Sequence, residues 1–342
     1  MSAERKVRVH VKNNHASPDT FPPTPEGEEV FTITPDRFDD AAQRHPDVGP
    51  HLDVVIDWDT DNFDDSMATA EALVTWDLPT ENLAEVAPNL KWIHIIGAGV
   101  EHLCPMDWVP DGVTVVNNKG AHKAKAGEFA LMAVLMLHNK MPAVQFNQRS
   151  ADWTSLYSTP IAGKTALIVG TGSLGSGAAH QLKKLGIEVL GVSRHGRPHP
   201  DIDEMGTTGD LDAMLARADY VFVATPATPE TENLFDRERL GRMKPGAGII
   251  NVGRAAVMDY GALVDLLEGG HLSGAILDVF DPEPLPADSP LWSAPNLVVT
   301  PHISADDGDN YVPITLDLFF ANMRRYLAGE PLENVVDPTL GY

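Results

Sequence analysis

The chain has 342 residues, 43% of them hydrophobic and 22% charged, which is the composition of an ordinary globular protein long enough for two domains. Its 49 acidic and 25 basic side chains give a net charge of −24, which disfavours nucleic acid and membrane surfaces as partners. A single cysteine excludes an internal disulfide, the longest apolar runs are too short to span a bilayer, and the first ten residues lack an apolar signal core, so we expect a cytoplasmic protein.

The first third of the chain alternates short apolar runs with polar helical stretches. The runs are "KVRVHV" (6–11), "LDVVIDW" (52–58), "EALVTW" (71–76), "LKWIHIIGAGVEHL" (90–103) and "VTVVNN" (113–118). A Pro-rich loop, "SPDTFPPTPEGEE" (17–29), separates the first two runs, and the Pro-rich stretch from 17 to 35 matches no known motif. The alternation predicts a parallel sheet with covering helices.

A longer apolar stretch, "GEFALMAVLMLHNKM" (127–141), predicts a buried helix that leads into a second domain. From residue 164 onward, strand and helix patterns alternate with short Gly, Pro and Asp punctuation, as is typical of a doubly wound sheet. The predicted strands are 165–170, 188–192, 220–225, 246–253, 274–280 and 296–301. Residues 311–337 predict one further helix and a tail.

The loop "GTGSLG" follows the first of these strands and opens a helix, within one βαβ unit of about 30 residues. Gly170 permits a tight turn, Gly172 lets a pyrophosphate approach the backbone, and Gly175 lets helix and strand pack closely. The helix N-terminus attracts the phosphate charge, so Ser173 and Leu174 join the predicted dinucleotide site. The alternative is a glycine turn without a ligand.

The next strand ends in "SRHGRP", where an acidic residue usually binds the adenosine ribose. Ser193, Arg194, His195 and Arg197 instead offer a hydroxyl and positive charge, which suit a 2′-phosphate. This predicts NADP(H) as the preferred cofactor, with NAD(H) possible. The alternative is a solvated basic turn.

A second glycine pair lies in "IIGAGVEHL", where His102 takes the place of a third glycine and no helix pattern follows. Either the loop is a tight turn, or the backbone N–H groups of Gly97, Ala98, Gly99 and Val100 hold a small anion such as a carboxylate.

Three polar residues, Arg254, Glu283 and His302, each come shortly after a predicted strand. Ligands of open α/β sheets bind outside the carboxyl ends of the strands, so the three could share one site. Arginine can hold a carboxylate and polarise a ketone, histidine can protonate an alkoxide, and glutamate can favour the imidazolium. Taken singly, each could be a surface, turn or core residue. The spacing of thirteen histidines in the chain indicates no metal site.

The stretches "GTGSLG", "NVGRAAVMD", "LDVFDPEPLP" and "PLWSAPNLVVTPHIS" resemble the D-isomer-specific 2-hydroxyacid dehydrogenase family, closest to its NADP-preferring glyoxylate/hydroxypyruvate reductases. The resemblance implies two Rossmann-like α/β domains with a cleft between them. One is a flavodoxin-like substrate domain (1–118 and 305–342), and the other is a doubly wound dinucleotide-binding domain (119–304). It also implies a homodimer and a small 2-oxo or 2-hydroxy acid as substrate.

Carried over by position, the resemblance implies that Arg254 and the 97–100 loop bind substrate and that Glu283 and His302 form the acid/base pair. Asp278 would lie near the nicotinamide. The remaining implied cofactor contacts are Thr225, Pro226, Thr231, Val252, Gly253, His302, Ser304 and Ala305. Phe129 departs from the family pattern, because many members carry histidine there.

We therefore predict an NAD(P)-dependent oxidoreductase that reduces a small 2-oxo acid to the D-2-hydroxy acid. Formate dehydrogenase is disfavoured because that enzyme carries glutamine where Glu283 stands, and phosphoglycerate dehydrogenase would favour a more basic cleft and often a regulatory C-terminal domain. A non-enzymatic NAD(P)-sensing or corepressor protein on the same fold is the alternative from another class.

Overall fold

The computed structural model describes residues 6–17 and 20–337. The chain divides into two compact units, with boundaries between Ala121 and His122 and between Asp306 and Asp307. The first unit combines the parts of the chain before and after these boundaries, and the second is the segment between them. The predicted substrate and dinucleotide-binding domains, as functional divisions, stay predictions.

The first unit contains a five-stranded parallel sheet in the order β2-β1-β3-β4-β5. Its strands are β1 (Val7–Asn13), β2 (Leu52–Trp58), β3 (Ala72–Thr75), β4 (Trp92–Ile95) and β5 (Thr114–Asn117). Every residue of β3 and β4 is buried, because parallel sheets are covered on both faces. This explains why their sequences are almost continuously apolar.

Four helices of this unit lie between the strands: α1 (Pro25–Phe31), α2 (Pro35–Arg44), α3 (Phe63–Met67) and α4 (Leu83–Val86). The predicted Pro-rich loop (17–29) therefore runs into α1, and the Pro-rich stretch (17–35) contains α1 and leads into α2. Thr24 and Thr34 cap these two helices by accepting backbone N–H bonds, and a proline occupies the first position of each. The prolines thus mark helix starts as well as turns.

The second unit contains a seven-stranded parallel sheet in the order β12-β11-β10-β9-β6-β7-β8. Its strands are β6 (Thr165–Val169), β7 (Glu188–Val192), β8 (Glu204–Gly206), β9 (Tyr220–Val223), β10 (Gly248–Asn251), β11 (Gly274–Leu277) and β12 (Leu297–Val299). Its helices are α5 (Lys123–His138), α6 (Met141–Arg149), α7 (Ser173–Lys183), α8 (Leu211–Leu215), α9 (Arg237–Gly241) and α10 (Tyr260–Glu268). The strand order reverses between β6 and β9, which is the topological switch point of a doubly wound sheet. The two parallel sheets confirm the predicted α/β fold class.

The final helix, α11 (Tyr311–Ala328), returns to the first unit. Phe319 and Phe320 are fully buried there, and Phe319 stacks on Trp92 of β4 at a ring distance of 5.2 Å. None of the helices in the described ranges combines the length and the apolar character that a bilayer-spanning segment requires.

Candidate active site

The glycine loop after β6 is shaped by close backbone contacts. Gly170 has a φ of 93°, and a Cβ there would lie 2.6 Å from the carbonyl oxygen of Ala224. A Cβ on Gly175 would clash with the carbonyl oxygen of Gly170, whereas one on Gly172 would meet nothing within 4 Å. The turn and the helix packing therefore require glycine, and the side of the loop at Gly172 is open to a ligand.

Helix α7 begins in this loop without a side-chain cap. Within the described ranges, the backbone N–H groups of Ser173, Leu174 and Gly175 donate to no protein acceptor. The hydroxyls of Ser173 and Thr225 are buried and likewise lack a protein partner among the described residues. Free N–H groups at a helix start and unpaired hydroxyls nearby suit the phosphates of a dinucleotide, so these residues fit NAD(P).

The loop after β7 carries the predicted basic cluster. Ser193 accepts a hydrogen bond from the Gly196 N–H at 3.2 Å, and Arg194, His195 and Arg197 are exposed. The Arg194 guanidinium lies 3.7 Å from the Glu230 carboxylate, a partner that sequence reasoning did not anticipate.

The loops after β9 and β10 contact each other. A Cβ on Gly253 would lie 2.5 Å from the carbonyl oxygen of Thr225, so glycine is needed for this approach. Thr231 closes the β9 loop by donating to the Pro226 carbonyl at 2.6 Å. Val252, the residue after β10, is buried. These predicted cofactor residues thus lie together at the carboxyl ends of neighbouring strands.

His302 and Glu283 form a direct pair. His302 Nδ1 lies 2.8 Å from Glu283 Oε2, and Glu283 Oε1 accepts the Phe280 N–H at 2.7 Å. Burial alone would lower the pKa of His302, but the hydrogen bond to Glu283 and the charges of Glu283 and Asp278 raise it above its ordinary value. Burial acts to raise the pKa of Glu283, but the bond to His302 and its charge lower it. The pair thus favours an imidazolium beside a carboxylate, with Nε2 left for another partner.

Asp278 anchors the segment that carries His302. Its carboxylate is fully buried and accepts three hydrogen bonds, from the Thr300 hydroxyl (2.6 Å) and from the N–H groups of Ile303 and Ser304 (3.0 Å each). His302, between these donors, has a φ of 52°, a left-handed conformation that costs an L-residue roughly 1–2 kcal/mol. The three bonds offset that cost and fix the direction of the imidazole.

Arg254 follows β10 in a turn held by Asn251. The buried Asn251 amide donates to the Arg254 carbonyl at 3.1 Å and accepts the Gly253 N–H at 3.0 Å. The guanidinium donates to the Gly253 carbonyl at 2.8 Å, and its charge acts on the pKa values of both Glu283 and His302. The three predicted catalytic residues therefore lie close together beyond the carboxyl ends of β10, β11 and β12.

The predicted anion loop, residues 97–100, belongs to the first unit. Its carbonyls are bonded back into the protein: Asn118 N–H donates to Gly97 at 2.9 Å, the Asn117 amide to Ala98 at 2.8 Å, and Leu103 N–H to Val100 at 3.0 Å. Across the described part of the chain, the N–H groups of residues 97–100 have no protein acceptor. A loop with bonded carbonyls and free N–H groups can bind an anion.

Comparison with known proteins identifies the family. The model of "D-isomer specific 2-hydroxyacid dehydrogenase, NAD binding domain" matches residues 131–304. The chain belongs to the D-isomer specific 2-hydroxyacid dehydrogenase family. The family predicted from the sequence is thus confirmed.

Three proteins that are similar to this chain carry different names within the family. D-3-phosphoglycerate dehydrogenase of Mycobacterium bovis is 34% identical over 284 residues, which are 82% of this chain and 53% of the relative, so the chain spans about half that relative's length. The solved structure of a D-isomer specific 2-hydroxyacid dehydrogenase from Xanthobacter autotrophicus Py2 in complex with NADPH and MES is 30% identical, with a TM-score of 0.80 over 99% of this chain and 100% of that chain. That of an NADPH-dependent glyoxylate/hydroxypyruvate reductase from Sinorhizobium meliloti in complex with NADP and sulfate is 27% identical, with a TM-score of 0.78 over 98% and 100%.

One further ionisable pair of this dehydrogenase-family chain was not expected from its sequence. His122 Nδ1 contacts the Ala305 carbonyl at 3.1 Å and lies 3.6 Å from the Asp306 carboxylate. Burial raises the pKa of Asp306, and its charge interacts with that of His302. His122 and Asp306 are far apart in sequence, so no local pattern signals the pair. Among the described residues, no group of three or more His, Cys, Asp or Glu side chains is arranged to hold a metal ion.

Proposed function

We propose that the chain is an oxidoreductase that reduces a small 2-oxo acid of the glyoxylate or hydroxypyruvate type to the D-2-hydroxy acid, with NADPH as the preferred reductant. The observation that carries the proposal is the His302–Glu283 pair beside Arg254, in the same unit as an uncapped helix start fit for a dinucleotide. The NADPH- and NADP-bound relatives in the family support it.

The glycine loop and the uncapped start of α7 would hold the nicotinamide cofactor, which would supply a hydride to the carbonyl carbon of the substrate. His302 holds a proton on Nε2 and donates it to the oxygen of the new alkoxide, because Nδ1 is bonded to Glu283. Arg254 holds the substrate and polarises its ketone with its planar set of donors. The free N–H groups of the 97–100 loop bind the substrate carboxylate.

Turnover tests the acid/base role directly. His302→Ala removes most reduction of glyoxylate or hydroxypyruvate while cofactor binding, followed by NADPH fluorescence, stays intact; His180→Ala, at an exposed histidine, serves as the control. Unchanged turnover in the His302 variant contradicts the role. NADPH binding without turnover of any 2-oxo acid, including a phosphorylated one, favours the sensor function over an enzyme.

The cofactor preference rests on the exposed cations after β7. A 2′-phosphate carries roughly −1.5 to −2 charge and binds the Arg194 guanidinium in competition with Glu230. Arg194→Asp raises the KM for NADPH far more than that for NADH. Equal effects on both cofactors contradict the preference.

A homodimer is supported by apolar side chains on the surface of the second unit. Trp153 is 97% and Tyr157 84% exposed, and Met132, Met141 and Phe146 of α5 and α6 are exposed nearby in sequence. The stretch expected to be a buried helix therefore buries only one face. We place this dimer in the cytoplasm, since a single cysteine suits a reducing compartment. Sedimentation tests the assembly: Trp153→Ser converts dimer to monomer, and a monomeric wild type contradicts it.

A further inference from the structure

The segment that follows β1 is tied over the carboxyl ends of β1 and β3. The Asn13 amide exchanges two hydrogen bonds with the backbone of Ile33, at 3.0 and 2.9 Å. The Asn14 amide donates to the Phe21 carbonyl at 3.0 Å and to the Asp77 carboxylate at 3.1 Å. These bonds hold in place Phe21 and Ile33, two residues of the Pro-rich stretch to which the proposed function assigns no role.

An aromatic stack leads from this segment to the anion loop. The Phe21 ring lies 4.2 Å from that of Trp76, centre to centre, and Trp76 stacks on His102 at 4.1 Å with the rings within 2° of parallel. His102 Nε2 also donates to the Trp76 carbonyl at 2.9 Å. The histidine in place of a third glycine is therefore a stacking partner for Trp76.

Trp76 packs directly on the first residue of the loop. A Cβ on Gly97 would clash with Cζ3 of the indole, so the ring occupies the space beside the Gly97 Cα. At the preceding residue, the Tyr311 hydroxyl donates to the Ile96 carbonyl at 2.5 Å. Phe31 contacts Tyr311 edge-on at 4.7 Å. The start of the loop thus contacts Trp76 at Gly97 and Tyr311 at Ile96, and each of these two rings contacts a phenylalanine of the Pro-rich stretch.

We propose that Phe21 is a positioning residue for substrate binding. It holds Trp76 against Gly97, and the stack with His102 fixes the direction of the backbone N–H groups of residues 97–100 toward a carboxylate. The effect falls on the affinity for the 2-oxo acid, because small displacements of backbone donors weaken a geometry-dependent contact. The inference rests on the proposed function, since it deepens the role of the anion loop.

The test compares two identical substitutions in the same unit. Phe21→Leu removes the ring contact with Trp76, whereas Phe38→Leu alters a buried ring that packs on Phe319 and Phe320, away from the stack. Phe21→Leu raises the KM for the 2-oxo acid about 5- to 10-fold, with kcat and the KM for NADPH within about 2-fold of wild type. Phe21→Tyr, which keeps the ring, restores the KM.

Binding of oxamate, a carboxylate that is not reduced, gives a readout independent of turnover. With NADP⁺ present, the dissociation constant of oxamate rises in Phe21→Leu by the same factor as the KM for the 2-oxo acid. It does not rise in Phe38→Leu. Wild-type affinity in Phe21→Leu, or an equal loss in both variants, overturns the inference. If wild type binds oxamate but reduces no 2-oxo acid, the proposed enzymatic function fails while the oxamate comparison still decides the role of Phe21. If wild type reduces a 2-oxo acid but binds no oxamate, the KM comparison decides the role of Phe21, and an unchanged KM in Phe21→Leu overturns it.

Discussion

Replacing Asp278 by asparagine removes the charge that holds the His302 segment. An asparagine has one acceptor oxygen, so if that oxygen replaces Oδ1 it keeps the bonds from the Thr300 hydroxyl and the Ile303 N–H, now to a neutral acceptor. Its amino group then faces the Ser304 N–H, which is left buried without an acceptor. The loss is roughly 1 kcal/mol for each weakened bond and about 1–3 kcal/mol for the unpaired N–H, or about 3–5 kcal/mol in total.

Hydrogen exchange measures this loss at the bonds themselves. Protection of the Ile303 and Ser304 amides falls by roughly 10² to 10⁴-fold, and kcat falls because the imidazole of His302 is no longer held in one direction. The control is Asp281→Asn, at an exposed aspartate three residues along the chain, which leaves the amide protection and kcat unchanged. Wild-type exchange at the two amides in Asp278→Asn would refute the assignment of Asp278 as the anchor of this segment.

Three further outcomes follow from the charges of the protein. Glu283→Gln removes the charge that raises the pKa of His302, so the rate of reduction, which needs the imidazolium, declines at lower pH than in wild type; an unmoved alkaline limb of the pH–rate profile speaks against the pair. Burial lowers the pKa of His10 and of His94 to about 4, so the unfolded chain binds protons that the folded chain excludes, and stability falls as pH drops below 6.5. The free energy of unfolding, measured with urea, falls by about 2 kcal/mol per histidine between pH 7 and 5. If a His94→Gln variant shows the same dependence of this free energy on pH as wild type, the explanation is contradicted. Because the net charge is −24, 1 M NaCl raises the urea midpoint by screening repulsion, and a midpoint independent of salt is the contrary result.

The strands were predictable from the sequence because buried parallel strands are short apolar runs. The exception is β8 (Glu204–Gly206), a three-residue edge strand that is too short and polar to give such a signal. In the Pro-rich stretch, the sequence predicts a loop because proline is typical of turns, whereas Pro25 follows a capping threonine and begins α1. Local composition therefore predicts the sheets better than the short helices.

For the site, the placement of Arg254, Glu283 and His302 after successive strands was readable from the sequence because parallel strands end at the same edge. The contacts that orient these side chains were not readable from the sequence, because such contacts join residues that are far apart in the chain. Asp278 accepts hydrogen bonds from backbone N–H groups that lie 25 and 26 residues further along the chain. His122 contacts Asp306, although these are the first and the last residue of the second unit. Such contacts leave no periodicity or spacing from which they could be inferred.

The free donors of the 97–100 loop are main-chain groups, held by carbonyls that point into the protein. Every residue type except proline carries the same N–H, so no single side-chain change deletes one of these donors outright. Under the proposed function, side chains around the loop can therefore be exchanged to admit substrates of different size while the main-chain donors stay the same. The constraint falls on position 97 instead, where the indole of Trp76 leaves room for glycine alone, so Gly97 and Trp76 are expected to change together or not at all.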